Sequence, residues 1–418
     1  MKKFLSVTIF TAILTFLRMV CGFLIGKVVA VYTGPTGLAL LGQLQSVSNI
    51  LTGITNAPGG SGVVRYTAEH SEKGLEACST WWKASTKWIF IFCGILIPIV
   101  CIFSPLISYL IVGESNKWVF IVVIAATLPV SAFGTMVTSI LNGFQGYKYY
   151  ISIGMVSVII SAVIMIFLTK IYGINGALIA ASLQSGLIGL IVLLLTIRMP
   201  WFRKKYLYGI TAAKYFYDIR KYIIMAVVSA LAMPISLIVL RRIIAHYSGW
   251  DVTGQWHAVW KISEAYLAII TLALSTYYLP ILSKINDNNK LKKEIYSSLR
   301  VIAPFTIVLS TCVYLSRDMI ISLLFSNEFN LARDFFLYQL IGDVVKIVSW
   351  LFAYPMLARG NLKWFVSTEL IFATSFVLIG WPLIYLYGAQ GANFAYLLNY
   401  ILYFLVMYLC LDRIIKND

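Results

Sequence analysis

The chain has 418 residues, of which 60% are hydrophobic and only 12% charged. No soluble fold of this size hides that much apolar surface, so the composition excludes a soluble enzyme and describes an all-α polytopic membrane protein. A formal net charge of +17 would point to nucleic acid in a soluble chain. Here the placement of the charges explains it, and no nucleic-acid partner is expected.

Hydropathy predicts about twelve transmembrane helices, at roughly 4–32, 36–66, 82–112, 116–142, 147–169, 174–198, 221–247, 252–284, 298–325, 333–358, 363–386 and 388–411. With the N-terminus inside, 23 of the 33 Lys and Arg fall near cytoplasmic ends. Four (Lys117, Lys170, Arg317 and Arg333) fall near periplasmic ends, and six lie within spans. That asymmetry follows the positive-inside rule and sets both termini in the cytoplasm of a multi-pass protein. Met1–Phe23 opens like a signal peptide, but Arg18 interrupts its apolar run and no small-residue cleavage site follows, so it is expected to stay as the first helix. The six Cys have no paired spacing and five lie within spans, so neither a disulfide nor a metal site is expected.

An internal repeat organises the chain. Tyr172-Gly-Ile-Asn-Gly-Ala177 returns as Tyr387-Gly-Ala-Gln-Gly-Ala392, and Tyr32-Thr-Gly34 as Tyr247-Ser-Gly249, both at an offset of 215. Gln145-Gly-Tyr resembles Arg359-Gly-Asn at 214. Six helices per copy is an even number, so the copies share orientation and form two pseudo-symmetric six-helix bundles, 1–205 and 206–418. The boundary stretch 198–221 carries seven Lys and Arg against Asp218. It reads as a topology anchor and interfacial linker, and binding of anionic lipid headgroups is compatible with that. Pro58, Pro98, Pro129, Pro234 and Pro355 fall inside spans, where kinks are tolerated. The run Asn56-Ala-Pro-Gly-Gly-Ser-Gly62 is the most hostile to a helix and reads either as a flexing point or as close helix packing.

Ionisable groups at membrane depth cost several kcal/mol unless they face a partner or water, so they are the functional candidates. They are Arg18, Lys27, Arg241, Arg242, Lys261 and Lys346 against Glu264, Asp343 and Glu369. The net positive interior favours an anionic ligand. Lys27 and Arg242 are equivalent at offset 215 and suit a ligand held between the halves. Arg18 lies nine residues from Lys27, so the two point to opposite helix faces; if only one faces a cavity, the reach of Lys27 to the periplasmic end favours Arg18, whereas the symmetry with Arg242 favours Lys27. Lys261/Glu264 and Asp343/Lys346 have i,i+3 spacing, which suits either a neutralised pair or a ligand- or ion-responsive switch. Glu369 is expected to meet a cation from another helix, and Arg65 with Glu69 marks an expected entrance. Tyr247, Trp250, Trp256, Trp260 and Tyr266 could stack on sugar faces. There is no P-loop, no H-E-x-x-H and no triad, so no catalytic residue and no cofactor are expected. The energy source is then an ion gradient, the gradient of a lipid substrate, or consumption of product downstream.

Tyr338-Gln-Leu-Ile-Gly-Asp-Val-Val-Lys346, Trp250-Asp251 to Ile262-Ser263 with Tyr266, Ser275 to Tyr278-Leu-Pro280, Gly26-Lys27 and Gly34-Pro35-x-Gly37-Leu38 resemble the Wzx family. These are flippases of lipid-linked oligosaccharides for O-antigen and enterobacterial common antigen, within the multidrug/oligosaccharidyl-lipid/polysaccharide exporter superfamily. The resemblance covers the whole chain. It implies a MATE-like V of two six-helix bundles in the bacterial inner (cytoplasmic) membrane. It also implies that an undecaprenyl-pyrophosphate-linked oligosaccharide crosses from the cytoplasmic to the periplasmic leaflet by alternating access, through a cationic central cavity.

In that frame Arg18, Lys27, Arg65, Arg241, Arg242 and Lys261 are the expected substrate-binding residues. Glu264, Asp343, Lys346 and Glu369 are the expected coupling or gating residues. Arg241, Asp343 and Lys346 match the pattern of the common-antigen branch; Lys261 departs from it. Membrane lipids, proton or sodium coupling, and the polymerase and chain-length regulator of the same pathway are the implied partners. A multidrug or cation exporter of the same superfamily is the alternative, and it should favour an acidic cavity. A membrane polymerase or ligase should show a large periplasmic loop, which the sequence lacks.

Overall fold

The computed structural model describes residues 2–285 and 287–415. Met1 and residues 416–418, at the ends expected to face the cytoplasm, lie outside the described residues. The principal helices are α1 (Lys2–Asn56), α2 (Ser61–His70), α3 (Leu75–Val112), α4 (Trp118–Gly143), α5 (Tyr147–Thr196), α6 (Ala213–Ala273), α7 (Asn288–Leu315), α8 (Phe336–Ala358), α9 (Leu362–Tyr387) and α10 (Gln390–Leu409). Among the described residues there is no strand, and nine helical runs are long and apolar enough to cross a membrane.

Three of the helices are bent. α1 turns at Gly34, α5 at Gly173 and α6 at Gly249, each glycine at positive φ. With 50 to 61 residues and a rise of about 1.5 Å per residue, each would run about 75 Å or more if straight. A hydrocarbon core is only about 30 Å thick, so each bent helix supplies two membrane-length legs. Nine runs among the described residues, three of them bent, agree with an expectation of about twelve spans.

The repeat is written into the backbone. Gly34 and Gly249 take φ 65° and 85°, and Gly173 and Gly388 take 56° and 59°. The bend at 173 folds the chain back so tightly that a Cβ on Gly176 would lie 1.9 Å from the carbonyl oxygen of Leu168. The same atom on Gly391 would lie 2.0 Å from that of Leu383. The turn after α4 and the turn after α8 also coincide. Phe144 N–H donates to Ile140, Gln145 to Asn142 and Gly146 to Leu141; Arg359 donates to Pro355, Gly360 to Leu357 and Asn361 to Met356. Every member of the second set stands 215 residues after its counterpart, which corrects the offset of 214 read there from sequence. The left-handed position is Gln145 in the first copy and Gly360 in the second, with φ 55° and 67°. Aligning glycine with glycine therefore slips the register by one.

Side chains are distributed for lipid. Large apolar groups such as Ile102 and Leu409 are exposed, whereas Ser79, Thr86, Ser104 and Ser108 of α3 are buried. Small residues let helices approach: a Cβ on Gly134 of α4 would come within 2.5 Å of Gly189 Cα of α5. The helix-hostile run 56–62 becomes a 3₁₀ turn, Ala57–Gly59. Ser85 Oγ donates to the Pro58 carbonyl at 2.7 Å, and a Cβ on Gly59 would meet Met136 backbone at 3.0 Å, which is the close-packing alternative.

The chain packs as two compact units. One comprises Met1–Tyr32 and Leu40–Ile235, the other Thr33–Ala39 and Ser236–Asp418. The stretch 198–221 is ordered against α3 of the first unit. Lys205 pairs with Glu76 at 3.1 Å, Thr211 Oγ1 donates to Thr80 O at 3.0 Å, and Trp88 Nε1 donates to Phe216 O at 3.2 Å. Ile219 and Ile223 of α6 bury against Ala57, Trp81 and Ala84. By packing, the early turns of α6 thus belong with the first unit.

Candidate functional site

Seven ionisable groups gather within the second unit. α6 supplies Arg241, His257, Lys261 and Glu264, α8 supplies Asp343 and Lys346, and α9 supplies Glu369. Electrostatic interactions link them: Arg241 with Glu264, His257 with Arg241 and Lys261, and Lys346 with Asp343, Glu264 and Glu369. Asp343 is fully buried. Its carboxylate accepts from Tyr266 Oη at 2.7 Å, Tyr396 Oη at 2.8 Å and Gln339 Nε2 at 3.3 Å. Tyr266 Oη also meets Ser310 Oγ at 3.2 Å. Lys346 Nζ sits over three rings, 5.1 Å from Trp350, 5.4 Å from Tyr400 and 5.8 Å from Tyr396. Such a cage stabilises an ammonium without a direct partner.

The two i,i+3 pairs behave in one way. Among the described residues neither closes into a direct ion pair. Glu264 accepts instead from Trp260 Nε1 at 2.8 Å, and Asp343 from the two tyrosines. Arg241 is buried, at 2% exposure, while Arg242 is half-buried. His257 is buried, with neither ring nitrogen hydrogen-bonded to a described residue. Three cations (Arg241, Lys261, Lys346) face three carboxylates (Glu264, Asp343, Glu369), so this network is balanced in charge.

The first unit is built differently. A cavity of about 440 Å³ opens among α1, α4 and α5, lined by Arg18, Asn56, Ser131, Ser161, Gln184 and Ser185 among others. Among the described residues, Arg18 is the one charged residue of the lining. Asn56 Nδ2 donates to Ser131 Oγ at 3.2 Å. Ser161 and Ser185 keep their hydroxyls buried with no hydrogen-bond partner among the described residues. Lys27 is half-buried and not part of the lining.

Arg65 lies at neither place. Its Nη1 donates to Tyr222 Oη at 2.6 Å and its Nε lies 3.9 Å from Glu69 Oε2. Tyr66, stacked on Trp81 at 4.9 Å, completes an aromatic cluster around it with Tyr222. Sequence reasoning missed Tyr396, Tyr400, Trp350 and Gln339. The i,i+4 spacing of Tyr396 and Tyr400 on α10, beside Asn393 and Asn399 on the same helix, was the available signal.

The profile of the family described as "Polysaccharide biosynthesis protein" matches residues 4–286. The lipid III flippase of Escherichia coli (strain K12) is 27% identical over 397 residues, 95% of each chain. That of Shigella flexneri matches to the same extent. Among solved structures, an inward-facing multidrug resistance MATE family transporter of the MOP superfamily superposes with a TM-score of 0.71 over 96% of each chain at 14% identity. The lipid II flippase MurJ in an inward closed conformation gives 0.71 at 15% identity, covering 98% of this chain and 87% of its own. These relatives and neighbours are flippases and transporters, as the resemblance led us to expect, and the fold is that of the MATE-like transporters. The profile match spans well over half of the sequence, and the chain belongs to the polysaccharide biosynthesis protein family.

Proposed function

We propose that the protein flips an undecaprenyl-pyrophosphate-linked oligosaccharide, an O-antigen unit or the common-antigen lipid, from the cytoplasmic to the periplasmic leaflet of the bacterial inner membrane by alternating access. The observation that carries this reading is the match, over 95% of both chains, to a protein named as a lipid III flippase. The chemistry of the site supports it. A pyrophosphate is best taken by guanidinium forks, which hold their charge in a greasy environment. Arg241 and Arg242 are the groups that would bind it, with Arg18, Lys27, Arg65 and Lys261 along the substrate's route.

Glu264, Asp343, Lys346 and Glu369 then form the coupling element. Asp343, held by two phenols and close to a caged ammonium, has an acceptor set that exchange of a proton or a sodium ion would rearrange. Polymerase and chain-length regulator are the partners this reading implies.

The test is reconstitution in liposomes with a fluorescent polyprenyl-pyrophosphate oligosaccharide, scored by its accessibility to an outside reagent. Wild type should scramble the lipid, and Arg241→Ala or Arg242→Ala should abolish scrambling at normal protein level. Full scrambling by either single variant would defeat that residue's assignment. No scrambling by folded wild type, even under an imposed proton or sodium gradient, would defeat the flippase reading.

A further inference from the structure

An open groove of about 510 Å³ runs along the first unit between α3 and the start of α6, within the size range of small-molecule sites. Its walls include Lys87, Phe90 and Ile91 of α3, with Thr211, Phe216 and Tyr217 from the linker and the first turns of α6. The groove is built in advance of any ligand. Thr211 Oγ1 is hydrogen-bonded to Thr80 O, the Phe216 carbonyl accepts from Trp88 Nε1, and the Phe216 ring stacks on Trp88 at 4.1 Å.

The α3 wall is polar at one end and apolar at the other. Lys83, Lys87, Phe90 and Ile91 stand at i, i+4, i+7 and i+8, so they share one helix face. The two ammoniums are one turn apart, a like-charge spacing that is unfavourable without an anion. Neither lysine takes part in an ion pair among the described residues. The acids of this region are engaged elsewhere: Glu76 with Lys205 at 3.1 Å, and Asp218 accepting from Trp81 Nε1 at 3.4 Å. Lys83 reaches across the linker, where a Cβ on Gly209 would lie 3.5 Å from its Cε and 3.7 Å from its Nζ. Further toward the middle of α3, Phe90 and Ile91 are exposed, and Ile210 in the linker is 95% exposed.

An occupant that satisfies this wall needs an anion for the lysine end and an apolar chain for the other. A free phosphate serves the lysines and leaves Phe90 and Ile91 uncovered. A neutral acyl chain does the reverse. A zwitterionic lipid brings its own ammonium to a site that already holds two. A phospholipid with a net negative headgroup meets both ends, and its phosphate lies at the depth to which lysine stems carry their charge. We propose that the groove between α3 and the start of α6 binds one anionic phospholipid, its phosphate on Lys83 and Lys87 and one chain along Phe90, Ile91 and Phe216. The lipid then fastens the linker to α3, and the attraction of the basic linker for the membrane acquires a discrete site. The proposal does not depend on what the protein transports.

The experiment is a native mass spectrometry titration of the full chain in detergent. The probes are phosphatidylglycerol, phosphatidylethanolamine with the same chains, and soluble glycerol 3-phosphate. Wild type is compared with the double variant Lys83→Gln/Lys87→Gln and with Arg203→Gln/Lys204→Gln. The second pair removes the same charge from exposed linker positions outside the groove lining. Wild type should bind its first phosphatidylglycerol about tenfold or more tightly than phosphatidylethanolamine. Lys83→Gln/Lys87→Gln should weaken phosphatidylglycerol about tenfold or more, the scale of two basic groups facing an anionic headgroup. Arg203→Gln/Lys204→Gln should stay within about twofold of wild type, as expected of charges that do not touch the lipid.

Equal losses in the two double variants would overturn the site in favour of a diffuse attraction to the whole linker. Glycerol 3-phosphate bound as tightly as phosphatidylglycerol would overturn the lipid in favour of a free anion. Equal retention of the two lipids would remove the requirement for negative charge and with it the proposal. If Lys83→Gln/Lys87→Gln fails to fold, Lys87→Gln alone is read instead: a loss of about fivefold in phosphatidylglycerol binding supports the site, and unchanged binding overturns it.

Discussion

The two units share a backbone plan and differ in what fills it. In the first, the charges at membrane depth are Arg18 and Lys27, both cations, and the interior opens into a hydroxyl-lined cavity. In the second, three cations face three carboxylates, and an opening of about 320 Å³ between α7 and α8 is lined mainly by apolar side chains such as Ile307, Leu337, Leu340 and Val344. The repeat shows how one becomes the other. Ser131, Thr135, Ser161 and Ser185 line the cavity; the residues 215 positions later are Lys346, Trp350, Phe376 and Tyr400. Three of these are Lys346 and two of the rings beneath it. Small hydroxyl residues leave space, and their large counterparts close it. The bends at 173 and 388 are held to one geometry because a Cβ on Gly176 or Gly391 would run into a backbone carbonyl, whereas inward-facing side chains are free to diverge. The net positive interior read from sequence is therefore carried by the first unit and Arg242, and not spread evenly.

The sharpest way to break this comparison is at the shared bends. Gly176→Ala and Gly391→Ala each drive a methyl into a backbone carbonyl, which should cost about 3 kcal/mol or more. Both should lose most of their folded, detergent-extractable protein in fluorescence-detected size exclusion. A tolerated change at one and a lethal one at the other would mean that the copies do not share the constraint.

Next in size is Asp343→Leu, which leaves Lys346 without the acid that acts on it most strongly and should destabilise by about 3–5 kcal/mol, measured by thermal unfolding in detergent. Arg18→Gln, in an open cavity, should stay within about 0.5 kcal/mol of wild type. Equal losses would erase the contrast between a balanced network and an open cation. Asp343→Asn, which keeps the shape, should slow turnover more than it weakens substrate binding; equal loss of both favours a structural role.

Tyr396→Phe removes one donor to Asp343 and should cost about 1.5–3 kcal/mol. Tyr400→Phe keeps the ring over Lys346 and should change stability by about 0.5 kcal/mol or less. A large effect at Tyr400 would mean that its hydroxyl, and not its face, serves the lysine. Smallest is Ser161→Ala. Because its hydroxyl has no partner among the described residues, the alanine should be neutral or stabilising by about 1 kcal/mol or less.

Much of the fold was legible because membrane spans, charged-loop asymmetry and paired glycines are loud signals. The offset slipped by one at a single turn, where Gln145 occupies a left-handed position that letters alone assign to glycine. The ionisable residues of the second unit were legible singly, since charge at membrane depth is rare. Their arrangement was not. Tyr396 and Tyr400 are indistinguishable by letter from the other tyrosines of a chain that is 15% aromatic, and i,i+3 spacing, which suited a neutralised pair or a switch, gave no sign of the phenols and rings that the geometry supplies. The cavity was silent in the sequence because Ser, Thr and Gly pack helices as readily as they line a polar space.

The one-residue bends at Gly34, Gly173 and Gly249 also bear on how the chain is made. Two membrane-length legs joined by a single non-helical residue leave no tether long enough for the first leg to settle alone before the second arrives. Each such pair should therefore enter the bilayer together, as a preformed hairpin. The same shortness removes any exposed strand of chain at these points, so proteases, antibodies and inserted tags find no foothold there.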